Sequence, residues 1–427
     1  MILESLIQYP AALFAVAVFV LLIWRTPIGV AALLVFYPIQ QYVPRLGPGL
    51  NAQTILVGTA LAMTLLRTGF RLPPIRVSGP VLFFVSVIFM GFAVAQVART
   101  IDDPEFGTVE RVMAVKSHLF TAILFFVAYW WGNQLEHRRA MLEGISFGLL
   151  LVASATVVDG LFLGGRRAMG VFTNPNYTGA ILGIFMIVPV YLFRASDLPR
   201  RRKIVHVAIW GVAGLALLFT RSRAGWLAGF LAHTAWLVYE NVAVVGLSVA
   251  GGTLAATLAY PILPDFVRER IEFTFTGSKT VYAGAESLDG SSGIRIALYR
   301  SGFDLFVQSP LWGHGLDSFR YVVKDEGSKY GILKNKTAHS FPLTVMTELG
   351  LIGLASLAYL GTMVLLVGRK VWRCRDPDCY LGPALLAVGL AAVVLNLFHT
   401  DFLISPASTG YFWAVYGLAA RRVYSDA

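Results

Sequence analysis

Apolar segments long enough to cross a bilayer recur along the chain, and short connectors in which arginine and lysine cluster separate them. About 20 residues of helix cross roughly 30 Å of hydrocarbon, and backbone polar groups inside lipid must be paired, so we expect these segments to be helical. The pattern predicts an all-α polytopic protein with about twelve spans. The predicted spans are a first pair at 11–24 and 28–39, then 52–66, 81–97, 119–131, 141–163, 177–193, 205–219, 224–239, 242–260, 341–367, 381–397 and 403–420. There are twelve spans if the first pair counts as one broken helix, and thirteen otherwise.

One polar insert, residues 261–338, interrupts this alternation. The chain therefore divides into membrane helices in 1–260, a loop domain in 261–338 and membrane helices in 339–427. Within the insert, the residues Ser-Ser-Gly at 291–293 favour a helix start. The helix that follows is predicted to be amphipathic and to end before Pro310, with apolar positions at Ile294, Leu298, Phe303 and Leu305.

Composition excludes a soluble globular protein. The chain is 56% hydrophobic and 14% charged, with a mean hydropathy of +0.67, which is too apolar for that class. The net charge of +11 indicates topology rather than nucleic-acid binding, because the basic residues lie in short connectors. We interpret the two cysteines, Cys374 and Cys379, as ordinary thiols, since C-x4-C without further ligands is a poor zinc signal.

The basic clusters predict sidedness. Arg194 with residues 200–203 forms the strongest cluster, and the positive-inside rule places it in the cytoplasm. Counting spans from there puts the other clusters on the same side; they are Arg67, Arg71 and Arg76, Arg138 and Arg139, Arg369 to Arg375, and Arg421 and Arg422. The insert then lies on the side of the membrane opposite the cytoplasm.

Several arginines fall on the predicted outer face, where the same rule disfavours them. Arg221 and Arg223 occupy a short outer connector, and an ionisable residue kept at such a place is a functional candidate. The alternative is that they snorkel to lipid headgroups. Guanidinium grips phosphate with two parallel bonds, which suits a diphosphate. The candidate ligands of an anionic donor are Arg166, Arg221, Arg223, Arg295 and Arg300; for Arg295 and Arg300 the alternative is the wet face of a helix.

Two histidines and one carboxylate complete the candidate site. His339 lies where the insert re-enters the bilayer and could act as a general base; alternatively it is a polar residue near a helix start. His314 could contact phosphate or line a turn. Asp401 could orient an imidazole, pair with an arginine or be solvated. Asn176 lies on the same face. We interpret the acidic group at 102–105 as a solvated loop rather than a metal site, and we expect no cofactor.

Six motifs, in this order, span residues 160–355. They are Arg166 through Gly170 to Asn174-Pro175-Asn176, Thr220-Arg221-Ser222-Arg223, Gly293-Ile294-Arg295, Pro310-Leu311-Trp312-Gly313-His314-Gly315, Ala338-His339-Ser340, and Glu348-Leu349-Gly350-Leu351-Ile352-Gly353. With one large outer loop and about twelve spans, this set resembles the superfamily of O-antigen ligases and O-antigen polymerases, which are bacterial envelope glycosyltransferases.

The resemblance implies metal-independent glycan transfer from an undecaprenyl-diphosphate carrier to an acceptor hydroxyl at the periplasmic face. If the roles of the matching family residues apply to this chain, Arg223 and Arg295 would hold the diphosphate, and His339 would activate the acceptor. Asp401 is a looser match. Many relatives have Asn after the histidine, where this chain has Ser340, so we carry over no side-chain role to that position.

Three functions remain open. We favour a ligase that moves a glycan onto the lipid A core, with inversion at the anomeric carbon. A polymerase that joins repeat units needs the same arginines and base, and only its acceptor differs. A transporter or flippase would predict charges at mid-span and an internal repeat, and we see neither pattern.

Overall fold

A computed structural model describes most of the chain. The described residues are 2–44, 47, 50–69, 72–97, 108–162, 167–195, 197–240, 265, 268–269, 272, 280–282, 285–287, 290–325, 337–373, 379–398 and 406–424. The predicted span at 242–260 lies outside them.

The first half of the described chain is helical throughout. Its helices are α1 (Ile2–Trp24), α2 (Thr26–Phe36), α3 (Ala52–Thr68), α4 (Ile75–Val97), α5 (Thr108–Trp131), α6 (Leu135–Phe162), α7 (Pro175–Phe185), α8 (Ile187–Arg194), α9 (Arg200–Thr220) and α10 (Arg223–Glu240), with a 3-10 helix at Tyr37–Tyr42.

The second half adds one small ribbon. Strands β1 (Thr280–Tyr282) and β2 (Ala285–Ser287) pair antiparallel, with Val281 opposite Glu286. The helices are α11 (Gly290–Gln308), α12 (Phe319–Asp325), α13 (Phe341–Trp372), α14 (Leu381–Phe398) and α15 (Pro406–Val423). The all-α prediction is therefore confirmed as the fold class, with this ribbon as a local addition inside the insert.

The number of spans is supported only in part. Every predicted span that falls on described residues is helical. Within those residues, seven helical segments are long and apolar enough to cross a membrane: Ile75–Val97, Arg111–Trp131, Leu135–Phe162, Pro175–Arg194, Arg200–Thr220, Phe341–Trp372 and Leu381–Phe398. A polytopic membrane protein follows from these seven, and the count of about twelve stays a prediction.

Two predicted elements differ in detail. The first pair is two helices that reverse at Arg25 and pack together, since a Cβ at Gly29 would overlap the backbone of Leu22. The predicted span 177–193 is divided at Met186 into α7 and α8. Helix α11 has the predicted start and end, but Phe303 is 58% exposed whereas Leu298 and Leu305 are buried. Five residues turn a helix by about 500°, so Phe303 cannot share the face of Leu298.

The basic clusters gather at one end of the helix bundle. Arg139 binds Asp197 at 2.8 Å, beside the start of α9. Arg194 lies over the ring of Tyr380, at the start of α14. Lys370 donates to Tyr424 at 2.9 Å, which brings the ends of α13 and α15 together. We call this end the basic end.

Helix directions define the opposite end. Helices α10 and α14 pack side by side, and Trp236 and Tyr239 near the end of α10 contact Tyr380 at the start of α14. The two helices are therefore antiparallel, and Arg223 lies at the same end as Phe398. We call this the His339 end, because His339 is also placed there, as shown below.

Helix α13 breaks at Gly350, whose φ of 63° and ψ of −157° are not helical. In a continuous helix, the amides of Leu351 and Ile352 would donate to carbonyls four residues earlier. Here Leu351 N–H donates to the Pro310 carbonyl at 2.8 Å, and Ile352 N–H to the Leu311 carbonyl at 3.5 Å. The loop after α11 therefore takes over the hydrogen bonds of the broken turn.

The exchange is reciprocal. The break also leaves the carbonyls of Thr347 and Glu348 without a donor from the helix. They accept instead from the amides of His314 and Gly315, both at 2.9 Å. A Cβ at Gly313 would overlap the backbone of Glu348, so only glycine permits this approach. The two amides and two carbonyls released at the break are therefore all paired, which is the condition for irregular backbone near lipid.

The carboxylate of Glu348 secures the next part of the loop. It is buried and accepts from the amides of Asp317 at 2.8 Å and Phe319 at 3.1 Å, at the start of α12. A buried carboxyl that accepts two backbone amides removes two polar groups that would otherwise be buried without partners. The segment from Pro310 to Phe319 is thus fixed to α13 along its length.

We predict that Gly350→Ala lowers stability by at least about 2 kcal/mol, because its backbone region is essentially restricted to glycine and a Cβ would overlap the Leu311 carbonyl. The midpoint of thermal unfolding in detergent measures this. The matched control is Gly361→Ala on the same helix, where a Cβ meets nothing within 4 Å. Equal midpoints for both variants would contradict the description of the break.

Candidate functional site

His339 lies at the junction between the insert and the membrane helix α13. Its φ of 50° places it in the left-handed region, which is uncommon for a residue other than glycine. Ala338 before it is fully buried, and the carbonyl of Ser340 after it accepts from Thr344 N at 3.0 Å. The histidine is therefore held between two fixed neighbours rather than on a free loop.

Tyr299 of α11 connects His339 to a second helix. Its hydroxyl lies 3.4 Å from the carbonyl oxygen of His339 and 3.1 Å from that of Leu397, near the end of α14. One hydroxyl has one proton to donate, so the two carbonyls share it. This contact places His339 and the end of α14 together, and hence at the same end as Arg223.

Arg295 stands one helical turn before Tyr299 on the same face of α11. Burial raises the pKa of the Tyr299 hydroxyl, and the charge of Arg295 opposes that rise. Side chains four positions apart are neighbours on a helix, so the guanidinium lies on the same face as the phenol. Arg295 and His339 are thus neighbours through Tyr299, although 44 positions separate them in the sequence.

Arg221 and Arg223 form the turn between α9 and α10. Arg221 has a φ of 51° and ends α9 in the left-handed conformation. Ser222 between them is buried, and its amide donates to the Thr220 hydroxyl at 3.2 Å. Burial lowers the pKa of Arg221, and the carboxylate of Glu269 opposes that shift. The turn therefore presents two cations at a defined place.

Arg167 holds this turn against the start of α7. Its Nε donates to the Thr220 carbonyl at 3.0 Å, and its Nη2 donates to Oδ1 of Asn176. The adjacent Ala168 N–H donates to the Phe219 carbonyl at 3.1 Å. Sequence reasoning proposed Arg166, which lies outside the described residues, and missed Arg167. Asn176 is placed beside the arginine turn, and its side chain is engaged by Arg167.

Two other candidates lie elsewhere. The ring Nε2 of His314 is 2.9 Å from the Leu305 carbonyl. A carbonyl can only accept, so this nitrogen donates and the ring braces α11. Of the two interpretations of His314, the structure therefore favours the turn. Arg300 is exposed on α11 and is one position, about 100°, away from the face of Tyr299.

The remaining candidates fall outside the described residues. These are Asp401 and the acidic group at 102–105, besides Arg166. Their roles stay predictions. Among the residues that the structure does describe, no group of three or more His, Cys, Asp or Glu side chains could hold a metal ion.

A second charged cluster lies deeper, beside the break in α13. Asp317 pairs with Arg320 at 2.8 Å and sits next to the buried Glu348. Burial raises the pKa of Asp317, and Arg320 opposes the rise. Both oxygens of the Glu348 carboxyl accept from backbone amides of the loop, so this cluster positions the loop. Glu348 is the only charged residue type between 341 and 367. Its isolation in an apolar segment was a sequence signal for this cluster.

The described geometry defines a class: an all-α, multi-pass membrane protein with cations and an imidazole at one end of the bundle. Residues 207–358 match the family model described as O-antigen ligase. This match confirms the resemblance to the O-antigen ligase and polymerase superfamily, and it supports a glycosyltransferase of that general type. It includes Arg221, Arg223, Arg295 and His339. No curated protein matches the chain at a significant level.

We predict that Tyr299→Phe loosens the junction around His339, because a hydrogen bond worth about 1 kcal/mol is lost, equivalent to roughly a fivefold change in an opening equilibrium. Hydrogen exchange of the amides in 338–345 should accelerate by that factor. Tyr359→Phe, on the middle of α13, is the matched control and should leave these amides unchanged. Unchanged exchange in both variants would show that the phenol does not hold the junction.

Proposed function

We propose that the protein transfers a glycan from an undecaprenyl-diphosphate carrier to an acceptor hydroxyl, with inversion and without a metal. The observation that carries this proposal is the Tyr299 contact. It joins His339 to the end of α14, with Arg295 beside the phenol. The antiparallel pair α10 and α14 brings Arg223 to the same end. A base and cations from three separate stretches of sequence therefore share one end of the bundle.

Each group has a defined task in this reaction. The acceptor hydroxyl oxygen attacks the anomeric carbon of the donor sugar, and His339 takes the hydroxyl proton. The bond between the anomeric carbon and the diphosphate oxygen breaks, and the electron pair leaves with undecaprenyl diphosphate. Arg223 and Arg295, with Arg221 and the predicted Arg166 and Arg300, offset the growing negative charge. Asp401 would orient the imidazole.

The physical requirements of the reaction fit this division of labour. A diphosphate is already a good leaving group, so the enzyme must supply charge stabilisation and a positioned nucleophile. Fixed cations satisfy the first requirement without reorganising during the reaction. The left-handed His339, held between buried Ala338 and Ser340, satisfies the second because its backbone has one defined orientation.

We favour a ligase whose acceptor is the lipid A core, acting at the periplasmic face of the inner membrane. The basic end then faces the cytoplasm, as the positive-inside rule requires. A polymerase is the second candidate, favoured by the same arginines and base. Product analysis separates them: a glycan on the lipid A core identifies a ligase, and a lengthened carrier-linked chain identifies a polymerase.

His339→Ala should reduce transfer by about 10²- to 10⁴-fold, the usual contribution of a general base. The assay uses purified protein, a lipid-diphosphate glycan and an acceptor, with EDTA present, and measures the undecaprenyl diphosphate released. His137→Ala, at the start of α6 and therefore at the basic end, is the matched control. Equal release by the His339 variant and the wild type would refute the role of this imidazole.

Arg223→Ala and Arg295→Ala should each reduce the rate by on the order of 100-fold, because each removes one fixed cation from the leaving diphosphate. Lysine at either position should restore part of the rate, since it keeps the charge but loses the paired guanidinium bonds. Arg201→Ala, exposed at the basic end, is the control. A transporter without transferase activity would release no undecaprenyl diphosphate in any of these samples.

A further inference from the structure

An exposed apolar turn lies next to the break in α13. Residues 309–313, here called the Trp312 turn, are closed by Gly313 N–H to the Ser309 carbonyl at 3.0 Å and by the Ser309 hydroxyl to the Gly313 carbonyl at 2.7 Å. Leu311 is 53% exposed and Trp312 is 50% exposed at its tip. Large apolar side chains held outward on a rigid turn indicate a partner surface.

The exposed apolar surface continues on both sides of this turn. Val307, one helical turn earlier on α11, is 61% exposed. Leu351, directly after the break in α13, is 48% exposed, and its amide is bonded to the Pro310 carbonyl. Two elements that are distant in sequence therefore present one continuous apolar patch.

Helix α13 gives a first measure of the depth of this patch. Arg369 begins its basic last turn, and basic side chains mark the membrane boundary. Roughly twenty helical residues cross the hydrocarbon, so the crossing segment extends back to about Leu349. Gly350 and the loop bonded to it therefore lie at the opposite boundary.

Helix α4 gives a second, independent measure. Arg76 stands at its start, and roughly twenty residues from there reach Gln96. Leu316 N–H donates to the Gly91 carbonyl at 3.0 Å, and a Cβ at Gly315 would overlap Ala95. The segment after the Trp312 turn therefore meets α4 in the last turn of its crossing segment. Both helices place the turn at the same boundary.

We infer that the Trp312 turn inserts into the bilayer at the His339 end, with Leu311, Trp312 and Leu351 in contact with lipid at the edge of the hydrocarbon. Tryptophan is enriched at this level because its ring is apolar and its N–H is polar. This membrane anchor is independent of the proposed reaction. It would fix the depth of the loop that continues from α11, the helix whose Tyr299 contacts the His339 carbonyl.

Spin labelling tests this contact directly. In full-length protein with Cys374→Ser and Cys379→Ser, a nitroxide is attached to Leu311→Cys or Trp312→Cys in lipid nanodiscs. Its collisions with oxygen and with a water-soluble nickel chelate are then measured. Arg300→Cys, at an exposed charged position of α11, is the aqueous reference. Tyr359→Cys, near the midpoint of the α13 crossing segment, is the lipid reference.

We expect nickel accessibility at 311 and 312 to be at least about threefold below that at 300, with oxygen accessibility nearer to that at 359, as for a side chain at the edge of the hydrocarbon. Nickel accessibility equal to that at 300 would place the turn in water and overturn the inference. A label shielded from both reagents, with spin–spin broadening, would mean that a second copy covers the turn, which also overturns it.

A second measurement avoids cysteine variants at the turn. Lipids brominated on the acyl chain near the carbonyl should quench the fluorescence of wild-type protein more than that of Trp312→Phe, because Trp312 is removed from the set of nine tryptophans. Lipids brominated deep in the chain should show a smaller difference. Identical quenching of both proteins by every lipid would overturn the inference even if the labelled variants failed to fold.

Discussion

The obligation to pair every backbone polar group near lipid governs the functional half of this protein. Helix α13 gives up two of its own hydrogen bonds at Gly350, and the loop after α11 supplies both replacements and receives both carbonyls in return. The exchange fixes α11 parallel to the first turns of α13. The placement of Tyr299, Arg295 and His339 depends on that alignment, because all three lie on these two elements.

The arginines at the His339 end have two kinds of role: some hold turns in place, and others are the proposed ligands of the donor. The Arg167 guanidinium donates to the Thr220 carbonyl and to Asn176, and the Arg320 guanidinium pairs with Asp317. These pairs hold turns in place. Arg221 and Arg223 occupy the turn that Arg167 secures, so a structural arginine prepares the position of the candidate ligands. This order, first a fixed turn and then a presented charge, is what electrostatic preorganisation requires.

The proposed reaction and the proposed membrane anchor meet in one geometric property, the height of the site above the hydrocarbon. A lipid-linked donor has its diphosphate at the bilayer surface, and its sugars extend into water. A base held beside the end of α14, at the boundary of the bilayer, would therefore reach the anomeric carbon rather than the lipid tail. The rigid connection from the turn through α11 to Tyr299 would keep that height constant during turnover.

The sequence by itself determined the class of protein. Its repeated apolar segments are long enough to cross the hydrocarbon, and the need to pair backbone groups there requires them to be helical. It also located α11, whose Ser-Ser-Gly start and Pro310 end are local signals. It could not show that Arg167 holds the turn between α9 and α10, since adjacent arginines carry the same signal and this role rests on contacts with Thr220 and Asn176. For His314 the sequence left two roles open, because a histidine between glycines suits a ligand or a brace, and the contact with the Leu305 carbonyl favours the brace.

Tertiary structure alone decided which distant residues meet. Arg295 and His339 come together because Gly350 releases a turn of helix and glycines at 313 and 315 let the loop approach, and neither event has a periodic pattern. Phe303 was misplaced because its position on α11 depends on which face of that helix packs against α13. Local composition fixes the elements of this protein, whereas the faces they share follow from packing across separations that no local pattern encodes.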